Sequence, residues 1–305
     1  MPLTDSDHIL VTGGTGFIGR PLCAKLIEMG CRVTVLTRDL ERARKLLGFE
    51  VDPISTLKEL QSRPAVNALV NLAGEPLATR RWSPARKQLF YDSRVGMTER
   101  LLEYFSHSTQ PAPRVLVNGS AIGYYGAHGD ETLDENGAVN HCFSSSLCRA
   151  WEEAACRFEA MSTRVCRMRT GIVLGGGGAL AAMLPPFKLG LGGAMGSGRQ
   201  WMSWIHRDDM VAAILFCLAQ DHLSGAFNAT APEPVINREF AKTLADTLSR
   251  PCLLPMPAVV MRLLFGEMAD ELLLSGQRVV PARLQEAGFQ FSYANLSKAL
   301  KQILD

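Results

Sequence analysis

The stretch Val11-Thr12-Gly13-Gly14-Thr15-Gly16-Phe17-Ile18-Gly19 carries the residue types and spacing that cradle a dinucleotide diphosphate. Gly13 allows a tight turn, Gly16 lets the backbone approach a pyrophosphate, and Gly19 lets a helix pack closely on the preceding strand. The free N–H groups of the turn, among them those of Thr15, Phe17 and Ile18, then face the phosphates at the positive end of the helix. A glycine pattern of this kind has weight only between a strand and a helix. Here the apolar run His8 to Val11 precedes it and the apolar-periodic run Phe17 to Met29 follows, which is that context.

A second group bears on which dinucleotide is bound. An acid at the end of the second strand binds a ribose 2′-hydroxyl, whereas an arginine accommodates a 2′-phosphate. The chain reads Thr37-Arg38-Asp39 at this point, so NADP is expected, with Arg38 and Thr37 as donors and Asp39 as a helix N-cap. Leu72 and Ala73 are expected against the adenosine, with Gly74 allowing close approach. Glu75 is either a substrate-side acid or a structural partner of Arg80, Arg81 or Arg94. Arg94 either reaches the 2′-phosphate or pairs with Glu75 or Asp92. Lys188 and Arg199 would suit an anionic substrate, and Trp204 lies close by in sequence. His206 and His128 are either structural or at the cleft.

These residues need a scaffold, and the pattern supplies one. Strand-like runs at Ile9–Thr12, Arg32–Thr37, Ala68–Leu72, Val115–Asn118, Val165–Arg169 and Ala226–Ala229 alternate with helical runs. The helical runs are Ile18–Met29, Leu40–Leu47, Asp92–Phe105, Ser146–Ala160 and Asp208–Ala219. That order predicts an α/β fold: a doubly wound parallel Rossmann sheet with a smaller, mainly helical C-terminal lobe. The nucleotide-binding core spans residues 1–174 and is completed by about 200–230, while 175–199 and 231–305 form the substrate lobe. Pro185-Pro186 is expected to break a helix, Asn237 and Asn295 to cap helices, and Pro257 to begin one.

Composition narrows the classes. The chain has 305 residues, 47% hydrophobic and 20% charged, with a net charge of +2, which gives no global reason to expect nucleic acid or a membrane surface. Eight scattered cysteines form no metal-ligand pattern, so no metal is expected, and they fit a reducing compartment. The first residues are polar and lead straight into a strand, and no apolar run approaches the ~20 residues that span a bilayer. A cytoplasmic location is expected.

The glycine turn, Asn71-Leu72-Ala73-Gly74, Arg169 to Gly175 and Trp204 to Met210 together resemble the extended, epimerase-like branch of the short-chain dehydrogenase/reductase superfamily. The chain is most similar to an atypical epimerase-family subgroup that carries its own C-terminal domain. Asn71 to Pro76, Arg81-Trp82, Met183 to Gly193, Gly196 to Gln200 and Gly276 to Pro281 carry that narrower likeness. The resemblance implies a Rossmann core, NADP(H), an unidentified small-molecule substrate and cofactor contacts from Gly119, Ser120, Gly171 and Val173. Superfamily members often dimerise through the helices corresponding to Asp92–Phe105 and Ser146–Ala160, which is an analogy of fold.

Superfamily chemistry uses a Tyr-x-x-x-Lys pair on one helical face, the cation lowering the phenol pKa for proton transfer. None of the five tyrosines has a lysine four residues later, and the matching positions read Ser144 and Cys148. Ser120, Tyr124 and Tyr125 are the remaining candidates for proton transfer. The sequence thus supports an NADP(H)-dependent oxidoreductase or nucleotide-sugar-epimerase-like enzyme. The alternative is a non-catalytic NADP(H)-binding regulatory or redox-sensing protein.

Overall fold

Apolar strands alternating with amphipathic helices assemble one seven-stranded parallel sheet, as the sequence pattern requires. The computed structural model describes residues 4–305, so the first three residues of the expected nucleotide-binding unit lie outside the described residues. The strands are β1 (His8–Thr12), β2 (Arg32–Leu36), β3 (Val51–Ile54), β4 (Ala68–Asn71), β5 (Val115–Ala121), β7 (Arg164–Thr170) and β11 (Gly225–Ala229), in spatial order β11-β7-β5-β4-β1-β2-β3. The chain runs outward from β1 to β3, then returns to place β4 on the other side of β1. That reversal is the topological switch point at which open α/β sheets bind ligands.

Side-chain alternation along β1 divides the interior in two. Ile9 and Val11 face a cluster that includes Leu22 and Leu26 of α1 (Gly19–Glu28) and Met210 and Ile214 of α7 (Arg207–Ala219). Leu10 faces the opposite cluster, with Leu101 and Phe105 of α4 (Met97–His107) and Ala155 of α5 (Phe143–Cys156). The remaining helix of this part, α2 (Leu40–Leu47), follows β2 and is capped by Asp39, whose carboxylate accepts from Arg42 N–H at 2.9 Å.

Three two-stranded pairs tie the C-terminal half to the core: β6 (Thr132–Leu133) with β13 (Arg278–Val279), β8 (Ile172–Leu174) with β10 (Trp204–His206), and β9 (Trp201–Met202) with β12 (Val235–Ile236). A separate apolar cluster joins α6 (Gly178–Lys188), α8 (Asn237–Thr247) and α12 (Leu296–Leu304). Between these, α9 (Ala258–Phe265) and α10 (Glu267–Leu272) pack near α3 (Pro84–Tyr91) through Met268, Phe265 and Phe90. The chain then returns to the main core, where α11 (Ala282–Glu286) buries Leu284 and the following Phe289 is also enclosed.

Four local expectations change. β3 escapes the sequence pattern because it is a four-residue edge strand, Val-Asp-Pro-Ile, and an edge strand tolerates a proline. Pro185 and Pro186 lie inside α6 instead of breaking it. The carbonyls of Ala181 and Ala182, which lose their donors, belong to exposed residues and are left to water. Asn237 is the first helical residue of α8 rather than its cap; its side-chain oxygen accepts from Met195 N–H at 2.8 Å and so pins the glycine-rich segment. The expected helix Asp92–Phe105 is interrupted at its start, where Asp92–Gly96 forms a π-turn and Met97 N–H reaches the carbonyl of Asp92. Asn295 caps α12 and Pro257 precedes α9, as expected. Among the described residues no helix is long and apolar enough to cross a membrane.

Candidate nucleotide site and cleft

The glycine turn sits at the C-terminal end of β1, and each glycine has a steric reason. Gly13 has φ +69°, and a Cβ there would lie 2.5 Å from the Leu72 carbonyl oxygen. A Cβ on Gly19 would lie 2.2 Å from the Gly13 carbonyl oxygen, so only glycine lets α1 start this close to the turn. Gly16 is exposed, and its N–H bonds back to the Gly13 carbonyl at 2.9 Å. The backbone N–H groups of Thr15, Phe17 and Ile18 have no hydrogen-bond partner among the described residues. Three free donors beside a helix N-terminus form an anion cradle. Next to it, the Arg207 guanidinium lies 5.6 Å from the centre of the Phe17 ring; its Nε is buried without a hydrogen bond and lies 3.5 Å from the Asp208 carboxylate. The residues present therefore fit a diphosphate. The Phe17 ring is also covered by Gly175, Gly177 and Gly178, where any Cβ would approach it to 3.0 Å or less.

A buried polar network fixes the strand ends around this turn. Thr12 Oγ1 donates to Asn71 Oδ1 at 2.6 Å, and Asn71 Nδ2 donates to Asn118 Oδ1 at 2.7 Å and Thr98 Oγ1 at 2.9 Å. Trp151 Nε1 adds a bond to Thr98 Oγ1 at 3.1 Å. These residues come from β1, β4, β5, α4 and α5, so the network sets the spacing of the cleft floor. Thr12 and Asn71 stand within motifs visible in the sequence, but nothing in the spacing shows the network they form.

On the side expected to hold the adenosine, Asp39 is occupied as the α2 cap, while Arg38 is exposed and makes no ion pair among the described residues. Thr37 Oγ1 donates to the Asp39 carbonyl at 3.3 Å. At the end of β4, Leu72 and Ala73 are partly exposed and Gly74 is exposed. Glu75 forms no ion pair with Arg80, Arg81 or Arg94; its N–H instead donates to Ser93 Oγ at 3.0 Å. Arg94 lies toward α5, against Gly74 and 5.4 Å from the centre of a Trp151 ring. Arg38 follows β2, on the far side of β1. The π-turn and the packing on α5 thus direct Arg94 onto Gly74 and Trp151, and it pairs with neither Glu75 nor Asp92.

Toward the other edge of the sheet, a second buried network absorbs two of the proton-transfer candidates. Ser120 Oγ donates to Glu152 Oε1 at 2.7 Å. Arg169 pairs with the same carboxylate, Nε to Oε1 at 2.8 Å and Nη2 to Oε2 at 3.0 Å. Glu152 and Arg169 are 2% and 3% exposed. Burial opposes the Arg169 charge, but the Glu152 bonds outweigh it and hold the guanidinium above its ordinary pKa. Arg169 also donates to the Tyr125 hydroxyl at 3.0 Å, and that hydroxyl donates to Asn228 Oδ1 at 2.7 Å. Burial pushes the Tyr125 phenol up to about 12. Tyr125 is fully buried with both hydrogen-bonding roles filled, so it braces β7 and β11 and is not placed to pass a proton in the cleft. Tyr124 differs. It is partly exposed, its hydroxyl has no partner among the described residues, and the Arg169 guanidinium lies 3.4 Å from its ring centre.

Ser144 and Cys148 share a face of α5, and neither restores a tyrosine–lysine pair. Ser144 Oγ and N–H both bond Glu271 Oε2, at 2.6 and 2.8 Å, beside a cavity of about 100 Å³ that Gly123 and Gln277 also line. Burial raises the Cys148 thiol to about 12, so it stays protonated at neutral pH. Gly119 is packed under Trp151, and Gly171 against the Ser203 carbonyl. Val173 is partly buried in β8, beside the main core.

The expected substrate residues separate. Lys188 and Arg199 are exposed, whereas Trp204 has no exposed surface and donates to the Glu233 carbonyl at 3.1 Å. Trp204 belongs to the core of the lobe. His206 caps α7 through Asp208 N–H and bonds Gln302, and His128 is held by Glu131 and the Tyr125 carbonyl, so both are structural. No group of three or more potential metal ligands occurs among the described residues.

Comparison with known proteins follows this geometry. A model of the NAD dependent epimerase/dehydratase family matches residues 9–229, and a domain of unknown function, DUF1731, matches residues 256–303. The chain is 40% identical over 302 residues to an Arabidopsis thaliana "epimerase family protein SDR39U1 homolog, chloroplastic", covering 97% of this chain and 86% of that protein. Among solved structures, the human epimerase family protein SDR39U1 (isoform 2), crystallised with NADPH, is 36% identical with a TM-score of 0.87, covering 97% of this chain and 98% of that one. A nucleoside-diphosphate sugar epimerase from Corynebacterium glutamicum is 30% identical with a TM-score of 0.75, covering 98% of this chain and 59% of that one.

Proposed function

This chain belongs to the NAD dependent epimerase/dehydratase family, and on that premise we propose that it binds NADP(H) and acts as an oxidoreductase or epimerase-like enzyme on a small molecule. The observation that carries this reading is the glycine turn, whose free amides of Thr15, Phe17 and Ile18 await an anion. Those amides and Arg207 hold the diphosphate. Arg38, with no ion pair among the described residues, and Thr37 hold the 2′-phosphate, the planar fork of the guanidinium matching it bidentately. Leu72 and Ala73 line the adenosine half, Gly74 allows the close approach, and Gly119, Ser120, Gly171 and Val173 border the nicotinamide half. Because the Ser120 hydroxyl is committed to Glu152, that residue contributes through its backbone. The human relative crystallised with NADPH supports the choice of cofactor.

When bound, the dihydronicotinamide supplies a hydride to a carbonyl carbon, or its oxidised form takes one from a carbinol. The chain's own task is to orient the substrate and to move one proton at its oxygen. Of the adjacent pair Tyr124 and Tyr125, Tyr124 is the partly exposed one, with no partner for its hydroxyl among the described residues, and we assign it that proton. Lys188 and Arg199 stand at the exposed edge, where an anionic substrate would enter.

One observation favours a second reading, a non-catalytic NADP(H)-binding regulatory or redox-sensing protein: Ser144 and Cys148 occupy the positions of the superfamily's proton-transfer pair. The two separate on label transfer. Incubated with stereospecifically 4-deuterated NADPH and a panel of carbonyl compounds, the protein is expected to move deuterium into a product. NADPH binding with no transfer to any member of the panel would leave the non-catalytic reading standing.

A further inference from the structure

Arg94 is a cation beside the cleft for which the fold makes room without an ion pair among the described residues. It leaves the π-turn at Asp92–Gly96, an irregularity that recurs at functional sites. Ser93, on the same turn, holds the Glu75 N–H, and the Thr98 hydroxyl holds the Arg94 carbonyl at 2.7 Å, so the backbone is fixed from both sides. Gly74 lacks a side chain where one is needed least: a Cβ there would lie 3.0 Å from the centre of the guanidinium. The guanidinium lies over Trp151, and its single hydrogen bond is a long one, Nη1 to the Phe90 carbonyl at 3.4 Å.

No carboxylate lies within ion-pair distance of Arg94 among the described residues. Burial pulls its pKa below the ordinary value. Arg94 is partly exposed, and Glu75 acts on it only electrostatically, without an ion pair. A partly buried guanidinium with no ion pair is costly and persists where a ligand supplies the charge. Its position is informative. Arg94 is near enough to act electrostatically on Cys148, the residue at which the superfamily's lysine would stand.

We propose that Arg94 is the oxyanion-binding residue of the cleft: entering from the helix after β4, it fills the place of a lysine at position 148 and grips the carboxylate of a small organic acid beside the nicotinamide. The substrate class is then an oxo or hydroxy carboxylic acid, its two oxygens matched by the guanidinium fork. This rests on the NADP(H) reading above. It also separates two jobs that the usual pair combines, because a cation on the π-turn before α4 leaves the proton to another group, here Tyr124.

The test uses the full chain and oxalate as the probe. NADPH affinity is measured first by fluorescence, then oxalate is titrated calorimetrically into NADPH-saturated protein. Wild type is expected to bind oxalate, Arg94→Met to weaken it at least tenfold, and Arg94→Lys to fall between them. Without ligand, Arg94→Met is expected to melt no lower than wild type, because it removes an unpaired charge; a merely structural arginine would lower the melting temperature. Failure of wild type to bind oxalate, or equal binding by wild type and Arg94→Met, would overturn the assignment. So would a melting temperature several degrees lower in Arg94→Met. If wild type does not bind NADPH at all, the failure belongs to the cofactor reading instead.

Discussion

Glu152→Ala is expected to destabilise the protein by about 3–5 kcal/mol, the cost of leaving a buried charge without its partner. The partner is Arg169, 3% exposed and held by two bonds to Glu152, at 2.8 and 3.0 Å. Removing the carboxylate also strips Ser120 Oγ of its acceptor and leaves Arg167, 3.3 Å away, with one contact fewer. At roughly 2–4 °C of melting temperature per kcal/mol for a chain of this size class, the expected fall is on the order of 10 °C. Ser120→Ala, which removes one hydrogen bond and leaves the ion pair intact, is expected to cost only about 1 kcal/mol. The paired variant Glu152→Leu with Arg169→Met removes both charges and is expected to recover at least half of the loss. Denaturant unfolding of the three variants measures this ordering. A Glu152→Ala variant within 1 kcal/mol of wild type would show that the network does not carry the β5–β7 region as described.

The second large effect is on the turn. Gly19→Ala places a Cβ 2.2 Å from the Gly13 carbonyl oxygen and 2.7 Å from the Gly14 Cα, both backbone atoms that cannot rotate aside. The start of α1 must shift, and with it the free amides at Phe17 and Ile18. Moving two amides off the diphosphate loses two hydrogen bonds to a charged group, about 1.5 kcal/mol each, so NADPH affinity is expected to fall about a hundredfold. Gly129→Ala is the control, since a Cβ there meets nothing within 4 Å. Fluorescence titration of both variants should show loss in the first and none in the second.

Legibility in the sequence followed the range of the interaction. The glycine turn, the caps at Asp39 and Asn295 and the strand–helix alternation depend on neighbours a few residues away, and they read correctly. β3 did not, because a four-residue edge strand containing Pro53 has too little pattern to register. The π-turn was also invisible, since one extra residue in a helix leaves the apolar spacing nearly unchanged. Arg94 was read as either reaching the 2′-phosphate or pairing with Glu75 or Asp92; it forms neither ion pair among the described residues, because that turn and Trp151 decide its direction.

The inner network was the least legible. Ser120, Tyr125, Glu152, Arg169 and Asn228 meet only after β5, β7 and β11 have paired with α5 alongside. Tyr125 and Tyr124 are adjacent and identical in type, yet one is fully buried and the other partly exposed. Their difference comes from which way a short 3₁₀ turn at Ile122–Tyr125 directs each ring. Ser144 bonds a carboxylate 127 residues away, at Glu271, which spacing along the chain cannot suggest.

The central claim is that the glycine turn and Arg38 together form an NADP(H) site. Parallel fluorescence titrations of NADPH and NADH into wild type and Arg38→Ala test it most directly. Wild type is expected to prefer NADPH by at least about tenfold, or about 1.4 kcal/mol, and Arg38→Ala to lose that preference while still binding NADH as wild type does. Equal affinity of wild type for the two cofactors, or an unchanged preference in Arg38→Ala, would contradict it.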